Sequence, residues 1–480
     1  MFPIRTSFSA LATVAGLISF TLPLSAQESR PDYTPIPPGY GFFENTKALQ
    51  AAVDQDDRAA VRAHGWKLWA GIMQPLKPSE ANSWPLWISW PTGSQAFPQD
   101  KAQPAKHPVS IKMSPNSVLA RTAPVNTAEV PVGTDGPKYP IPEPVQKAYK
   151  DALKETKQGL SLYDGSYFAF NGDIMIATES MSAVSFEAIE TGGLNQVSTL
   201  EALKKDKENI DLPAEAVFTK HMYWPVKQDG LTALPWLNSK QFKSDFPGYW
   251  GYEIWDEVVA IDPGNSQKKE AEVSFLYGVL EFGGEPMATR TVTAPVVSID
   301  DFYHHKITQK DWDAFNDEDK AILNAASHWL YNESFGPGDY LVSVAMHVFT
   351  KEVPTWTLQS TWWSQAPNDG PYALDRPVLP DAVGPWQNYL LTQGTQTKPE
   401  PDGNLKISVN PYIEGVTHPI ATSCRNCHQR AGYPFGKTKG TTGYQTDDCP
   451  GLLSPLTAKS SCFDGVMLSD FSWAIPGRAK

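Results

Sequence analysis

Apolar residues recur at helical spacing over Lys47–Ala63, where Leu49, Ala52, Val53, Ala60 and Val61 form one stripe, and this pattern predicts a helix. The same spacing returns after Pro144, in Val145, Ala148, Tyr149, Ala152 and Leu153, and stops at Gly159. It returns again near Gln309–Leu330, where Ile322, Ala325, Ala326, Trp329 and Leu330 share a face. From about residue 160 to 365 most of the remaining pattern is that of strands. Val217–Val226, Tyr252–Ile261, Glu272–Phe282 and Asp339–Thr350 are rich in Val, Phe, Tyr and Trp, and Lys351–Pro354 predicts a turn onto Thr355–Trp363. Ser83–Trp90 reads as an extended segment carrying Trp84, Trp87 and Trp90. Proline clusters mark a lead-in at Arg30–Tyr40, a linker or long loop at Pro124–Pro144, and a loop-rich stretch at Pro371–Gly403. No internal repeat is present. The expected fold is mainly β with several helices (α+β). An N-terminal region 27–143 precedes a β-rich body 144–403 and a C-terminal segment 404–480.

The N-terminus does not follow these patterns. Met1–Arg5 carries one positive side chain, Ala10–Leu24 is uncharged and mostly apolar, and Leu24-Ser25-Ala26 offers small residues before Gln27. This is the three-part arrangement of a secretory signal peptide, residues 1–26. The apolar run contains Gly16 and Pro23 and is shorter than the ~20 residues that a membrane span needs. The expectation is an exported, periplasmic protein with no transmembrane anchor after cleavage. The 480 residues suffice for about three domains, or about two if one is a large β unit. The 42 prolines argue against an all-helical bundle, since each removes a backbone donor. A net charge of −13 argues against nucleic acid as a partner.

The cysteines then change the picture. Cys424, Cys427, Cys449 and Cys462 all fall in the last 57 residues, and Cys424-Arg425-Asn426-Cys427-His428 is C-x-x-C-H, the attachment signature of c-type haem. Two thiols that add to the vinyl groups of one porphyrin must lie close together on one side of a turn. The histidine after the second thiol then supplies the proximal iron ligand. A thioredoxin-like pair would want a βαβ setting, and none surrounds the motif. A zinc site would need two further ligands, and the spacing of Cys449 and Cys462 is not that of a knuckle. In an oxidising compartment these two most simply form a disulfide. The expected cofactor is one covalent haem c on Cys424 and Cys427, with His428 on the iron.

A distal ligand is less legible. Met467 lies 39 residues after His428 and is one candidate, with a core methionine as the competing reading. His347 sits in a predicted strand with Ala345 and Phe349 on its face and is another. His418, His221 and the His304-His305 pair, expected on a loop, are weaker candidates, and an empty sixth position stays open. Ser472–Gly477 is a poor helix, so the haem is expected to pack against the β-rich body and not within its own small fold. Asp256-Glu257 and Asp300-Asp301 read as solvated acids, since neighbours on a strand point to opposite faces. No phosphate-binding glycine loop, G-x-S-x-G or H-E-x-x-H occurs.

Ser423-Cys424-Arg425-Asn426-Cys427-His428-Gln429-Arg430-Ala431, with Asn410-Pro411-Tyr412 upstream and Asp470-Phe471-Ser472-Trp473 downstream, resembles exported bacterial proteins of the cytochrome c family. His347–Trp356 and Thr361-Trp362-Trp363 look like a second block of the same family. The resemblance implies covalent haem on Cys424 and Cys427 with His428 axial, and it brings no reaction. The late motif is also similar to that of cytochrome P460, without a matching cross-linking lysine. The expected function is electron transfer by a monohaem c-type cytochrome that docks a redox partner protein. The alternatives are a haem-dependent oxidoreductase or peroxidase acting on a small molecule, and an exported tryptophan-rich ligand-binding protein.

Overall fold

A computed structural model describes residues 33–98, 143–149, 163–164, 167–168, 176–238, 255, 257–275, 290–414, 422–435, 453–457 and 459–480. The signal peptide expected at 1–26, most of the Pro124–Pro144 linker, Asp256, His418 and Cys449 lie outside these residues. The helices are α1 (Thr46–Gln55), α2 (Arg58–Ile72), α3 (Gly93–Ala96), α4 (Glu143–Ala148), α5 (Ala183–Thr191), α6 (Val197–Asp206), α7 (Gln309–Ala314), α8 (Asp317–Tyr331), α9 (Cys424–Gln429) and α10 (Ala474–Arg478). The strands are β1 (Tyr163–Asp164), β2 (Tyr167–Phe168), β3 (Ile176–Met181), β4 (Val217–Val226), β5 (Thr232–Trp236), β6 (Glu257–Asp262) and β7 (Glu270–Phe275). They continue as β8 (Arg290–Ser298), β9 (His304–Lys306), β10 (Tyr340–Thr350), β11 (Thr357–Trp363), β12 (Tyr389–Gln393), β13 (Gly432–Tyr433) and β14 (Met467–Leu468). The fold is α+β with a β-rich body, as the periodicity predicts.

Two predicted helices are each broken in two by capping residues. The stripe over Lys47–Ala63 is interrupted at Asp56, which takes φ 59° and ends α1, while the Asp57 side chain accepts the Ala60 N–H at 3.1 Å and opens α2. Likewise Gln309–Leu330 breaks at Phe315–Asn316, where Asn316 and Asp319 exchange hydrogen bonds in a capping box that starts α8. Ser83–Trp90 is not extended throughout, because Leu86–Ser89 forms a turn of 3-10 helix. Helices α5 and α6 fall where mostly strands are predicted. In α5, Val184, Ser185, Phe186, Ala188 and Ile189 are all buried, and only Glu187, Glu190 and Thr191 mark an outer face, too short a pattern to stand out from the strands around it.

The main sheet runs in the order β12-β11-β10-β4-β3, and β9 pairs with the early part of β10. All its pairings are antiparallel, and the predicted hairpin of β10 and β11 forms with Thr350 opposite Thr357. A second sheet, β5-β6-β8-β7, contains a parallel pair, β6 with β8. Cross-strand partners share a face. On the front face of the main sheet His347 lies between Lys220 and Ser360, and Phe349 between Phe218 and Leu358. On the back face His221 lies between Thr178 and Met346. Helix α2 packs on the back face, and an added Cβ at Gly65 would touch Gln359 and Leu391.

Trp66, Trp69, Trp90, Trp224, Trp255, Trp356, Trp362 and Trp363 are among the largest fully buried side chains. They build the core, as expected of core tryptophans. Asp301 likewise has a structural task, capping a 3-10 turn with Ser298. Among the described residues no helix is long and apolar enough to cross a membrane.

Candidate functional site

Helix α9 carries the C-x-x-C-H motif and packs on the front face of the main sheet. Cys424 is buried in one apolar cluster with Met181, Phe349, Leu358, Met467 and Ile475. The local chain fixes it twice. Ser408 N–H donates to Thr422 O and Cys424 N–H donates to Ser408 O, each at 3.0 Å. The Cys424 thiol also donates to Ser408 O at 3.0 Å and accepts from Ser408 Oγ at 3.3 Å. Cys427 lies one helical turn on, its N–H bonded to Ser423 O at 3.0 Å, so both thiols leave the same side of α9. Both are free, and Cys427 and His428 are only half-buried.

Burial pushes the Cys427 thiol up to about 11, with Glu414 adding to the shift and Arg430 opposing it. Burial also pushes Cys424 up. These are protonated thiols at neutral pH, not a low-pKa redox pair of the thioredoxin kind.

His428 Nδ1 lies 2.8 Å from the backbone carbonyl oxygen of Phe471. A carbonyl only accepts, so the N–H is on Nδ1 and the Nε2 lone pair is left available. Burial, with the nearby His347 also contributing, pulls His428 down to about 4, so the ring is neutral at neutral pH. This is the state and tautomer in which a histidine ligates a metal.

The carbonyl is itself held in place. Asp470 and Phe471 both take positive φ, 52° and 66°. The Asp470 carboxylate accepts from Trp356 Nε1 at 2.9 Å, from Leu212 N–H at 2.8 Å, and from the Lys351 ammonium. Lys351 and Trp356 flank the β10–β11 turn, so this carboxylate ties that turn to the Asp470-Phe471-Ser472-Trp473 segment.

His347 projects from β10 on the same face. Its ring is 5.2 Å from that of Phe349, which in turn stands edge-on to His428 at 4.4 Å. His347 Nε2 and Glu414 Oε1 are 2.5 Å apart, and Glu414 Oε2 accepts the Asn410 N–H at 2.5 Å. Asn410 Nδ2 bonds Ser360 Oγ at 2.7 Å and Thr361 O at 2.9 Å, tying the Asn410-Pro411-Tyr412 block to β11. The structure thus brings His347 beside the motif. Met467 is placed differently, on β14 opposite Tyr433 and 2% exposed within the apolar cluster.

The other histidines lie elsewhere. His221 is buried on the back face, and His304-His305 is not on a loop but on β9. Glu414 and Gly394 gave no sequence signal. An added Cβ at Gly394 would stand 2.7 Å from Cys424 Cβ, a close approach that only the folded chain reveals.

The residues present fit a covalent haem. Two free thiols on one helix turn and a neutral histidine with an open Nε2 are the donor set that the group requires. Two buried polar atoms around them also lack partners among the described residues, His347 Nδ1 and Arg425 Nη1. Burial lowers the pKa of the Arg425 guanidinium, and among the described residues no carboxylate offsets the cost. The propionates of a porphyrin are the anions such a group accepts. Among the described residues no three His, Cys, Asp or Glu side chains converge as a metal site.

No protein-family model matches the chain, and comparison with curated proteins and with solved structures found no match.

Proposed function

We propose that this chain is an exported monohaem c-type cytochrome that transfers electrons to or from a partner protein. One observation carries the reading: Cys424 and Cys427 leave one side of α9 as free thiols, followed by a neutral His428 whose Nδ1 is fixed on Phe471. The haem, when bound, supplies a single reversible electron. Cys424 and Cys427 would tether it and His428 would supply Nε2, with the Phe471 carbonyl keeping that imidazole oriented.

A second reading, a haem-dependent oxidoreductase acting on a small molecule, draws support from His347. A buried imidazole held by Glu414 with a spare Nδ1 is the kind of group that exchanges protons with a substrate.

The test is the intact mass and the visible spectrum of protein matured in a host with working haem-ligation machinery. The expected result is a haem-sized increment, lost in a Cys424→Ala, Cys427→Ala double variant, with a c-type reduced spectrum. The bare polypeptide mass for the wild-type chain would overturn the proposal. Six-coordinate low-spin iron favours electron transfer, and five-coordinate high-spin iron favours the second reading.

A further inference from the structure

A second site lies on the other face of the main sheet, away from α9. We propose that it binds one neutral six-membered ring bearing a single hydroxyl group, a ligand of the phenol class. The cavity has a volume of about 140 Å³. A dry cavity of about 150 Å³ in another protein accepts benzene, so the space suits one ring.

Its walls are aromatic, from Trp84, Tyr223 and Tyr303, and Val383, 47% exposed, stands on its rim. Trp84 is held rigidly. Its ring stacks on His305 with centroids 3.5 Å apart and planes at 20°. His305 Nε2 in turn lies 3.2 Å from Asp311 Oδ2, which also accepts from the Thr308 N–H at 2.8 Å and hydroxyl at 2.6 Å. A wall fixed in advance loses little freedom when a flat ring is laid against it.

One polar group sets the chemistry. Ser343 is 4% exposed, and its backbone is fully engaged: the N–H donates to Tyr303 O and the carbonyl accepts from the Tyr389 hydroxyl, each at 2.7 Å. Its own hydroxyl lines the cavity and makes no hydrogen bond among the described residues. A serine hydroxyl both donates and accepts, so a phenolic hydroxyl pairs with it in either sense. Among the described residues no carboxylate, ammonium or guanidinium lines the cavity, so a neutral ligand fits better than a charged one.

Calorimetric titration of the full chain with phenol and, separately, with benzene tests this. Expected is saturable binding of one phenol per chain, about tenfold tighter than benzene, because a ring without the hydroxyl leaves the Ser343 hydroxyl unpaired. Ser343→Ala should weaken phenol about tenfold and leave benzene unchanged. Val383→Trp, on the exposed rim, is the second variant should the first fold poorly, and it should weaken phenol and benzene alike by filling the mouth of the cavity. Absence of saturable binding would overturn the proposal. So would benzene binding as tightly as phenol, or phenol affinity that neither substitution moves.

Discussion

Trp356 donates its indole N–H to the Asp470 carboxylate across 2.9 Å, and this contact joins the turn of the β10–β11 hairpin to the backbone that faces His428. The pairing is half of a larger junction. Lys351 reaches Asp470 and Asp211, and the side chains of Lys351 and Asp470 are about nine-tenths buried. Desolvation raises the pKa of Asp470 despite the ammonium beside it. A charge held under those conditions is costly to strand, which makes the junction a point where a small change has a large effect.

Asp470→Ala should therefore cost about 3 kcal/mol, because it leaves Lys351 without its buried counter-charge and removes two further acceptor contacts. Asp470→Asn keeps an acceptor for Trp356 and should cost less. Urea unfolding of both variants gives the ranking. In matured protein both should also move the reduction potential, since the Phe471 carbonyl that orients His428 is the next residue. An Asp470→Ala protein as stable as wild type would remove the basis for this junction.

His347 and Met467 make opposite predictions for the haem-loaded protein. His347 stands against Phe349, which touches His428, whereas Met467 is an apolar cluster residue on β14. His347→Leu should change the ferric visible spectrum or its response to added imidazole. Met467→Leu, nearly volume-conserving, should leave the spectrum alone and cost less than about 1.5 kcal/mol. A spectrum altered only by the methionine substitution would reverse the assignment.

Acid should destabilise the protein through His221. This ring is 1% exposed, stacks on Trp87 at 3.5 Å and bonds Thr219 Oγ1 at 3.0 Å. Burial, with the charge of His347 adding to it, pulls its pKa well below the ordinary histidine range. As pH falls below about 6.5 the unfolded chain takes up a proton that the folded chain refuses. The unfolded state then binds more protons, so stability drops with acidification; above that pH this contribution is flat. The urea midpoint of wild type should fall between pH 7 and pH 5, and His221→Phe, which keeps an aromatic partner for Trp87, should flatten the change. Equal pH slopes in the two proteins would refute the attribution.

The pattern of the chain carried some of this and not the rest. Strand β4 is legible end to end as Val217–Val226, because aromatic and β-branched residues dominate it. The break between α1 and α2 was missed because Asp56 and Asp57 look like solvated helix acids until their caps are seen. Cys424, Cys427 and His428 announce themselves because their spacing is set by covalent chemistry. Glu414 and Asp470 do not, since a carboxylate acquires its task from partners over 60 and over 110 residues away, His347 and Trp356. The Trp84–His305 stack is of the same long-range kind.

Gly394 offers the sharpest packing test. It follows β12, its N–H donates to Leu358 O at 2.7 Å, and its φ is unremarkable, so only space argues for glycine. An added Cβ would lie 2.7 Å from Cys424 Cβ, 3.1 Å from Ser408 Oγ and 3.3 Å from Arg425 N. The nearest neighbour is the root of a fixed side chain, which cannot swing away, so Gly394→Ala must push α9 off the end of the sheet. Overpacking of this kind costs about 2 kcal/mol. Gly336→Ala, where nothing lies within 4 Å of the added carbon, is the control and should be close to neutral. Urea unfolding measures the cost, and the intact mass of matured protein measures the fraction carrying haem. Both should fall for Gly394→Ala and hold for Gly336→Ala. If Gly394→Ala matched the control in stability and haem content, the tight seat of Cys424 against the strand end would not be what positions the motif.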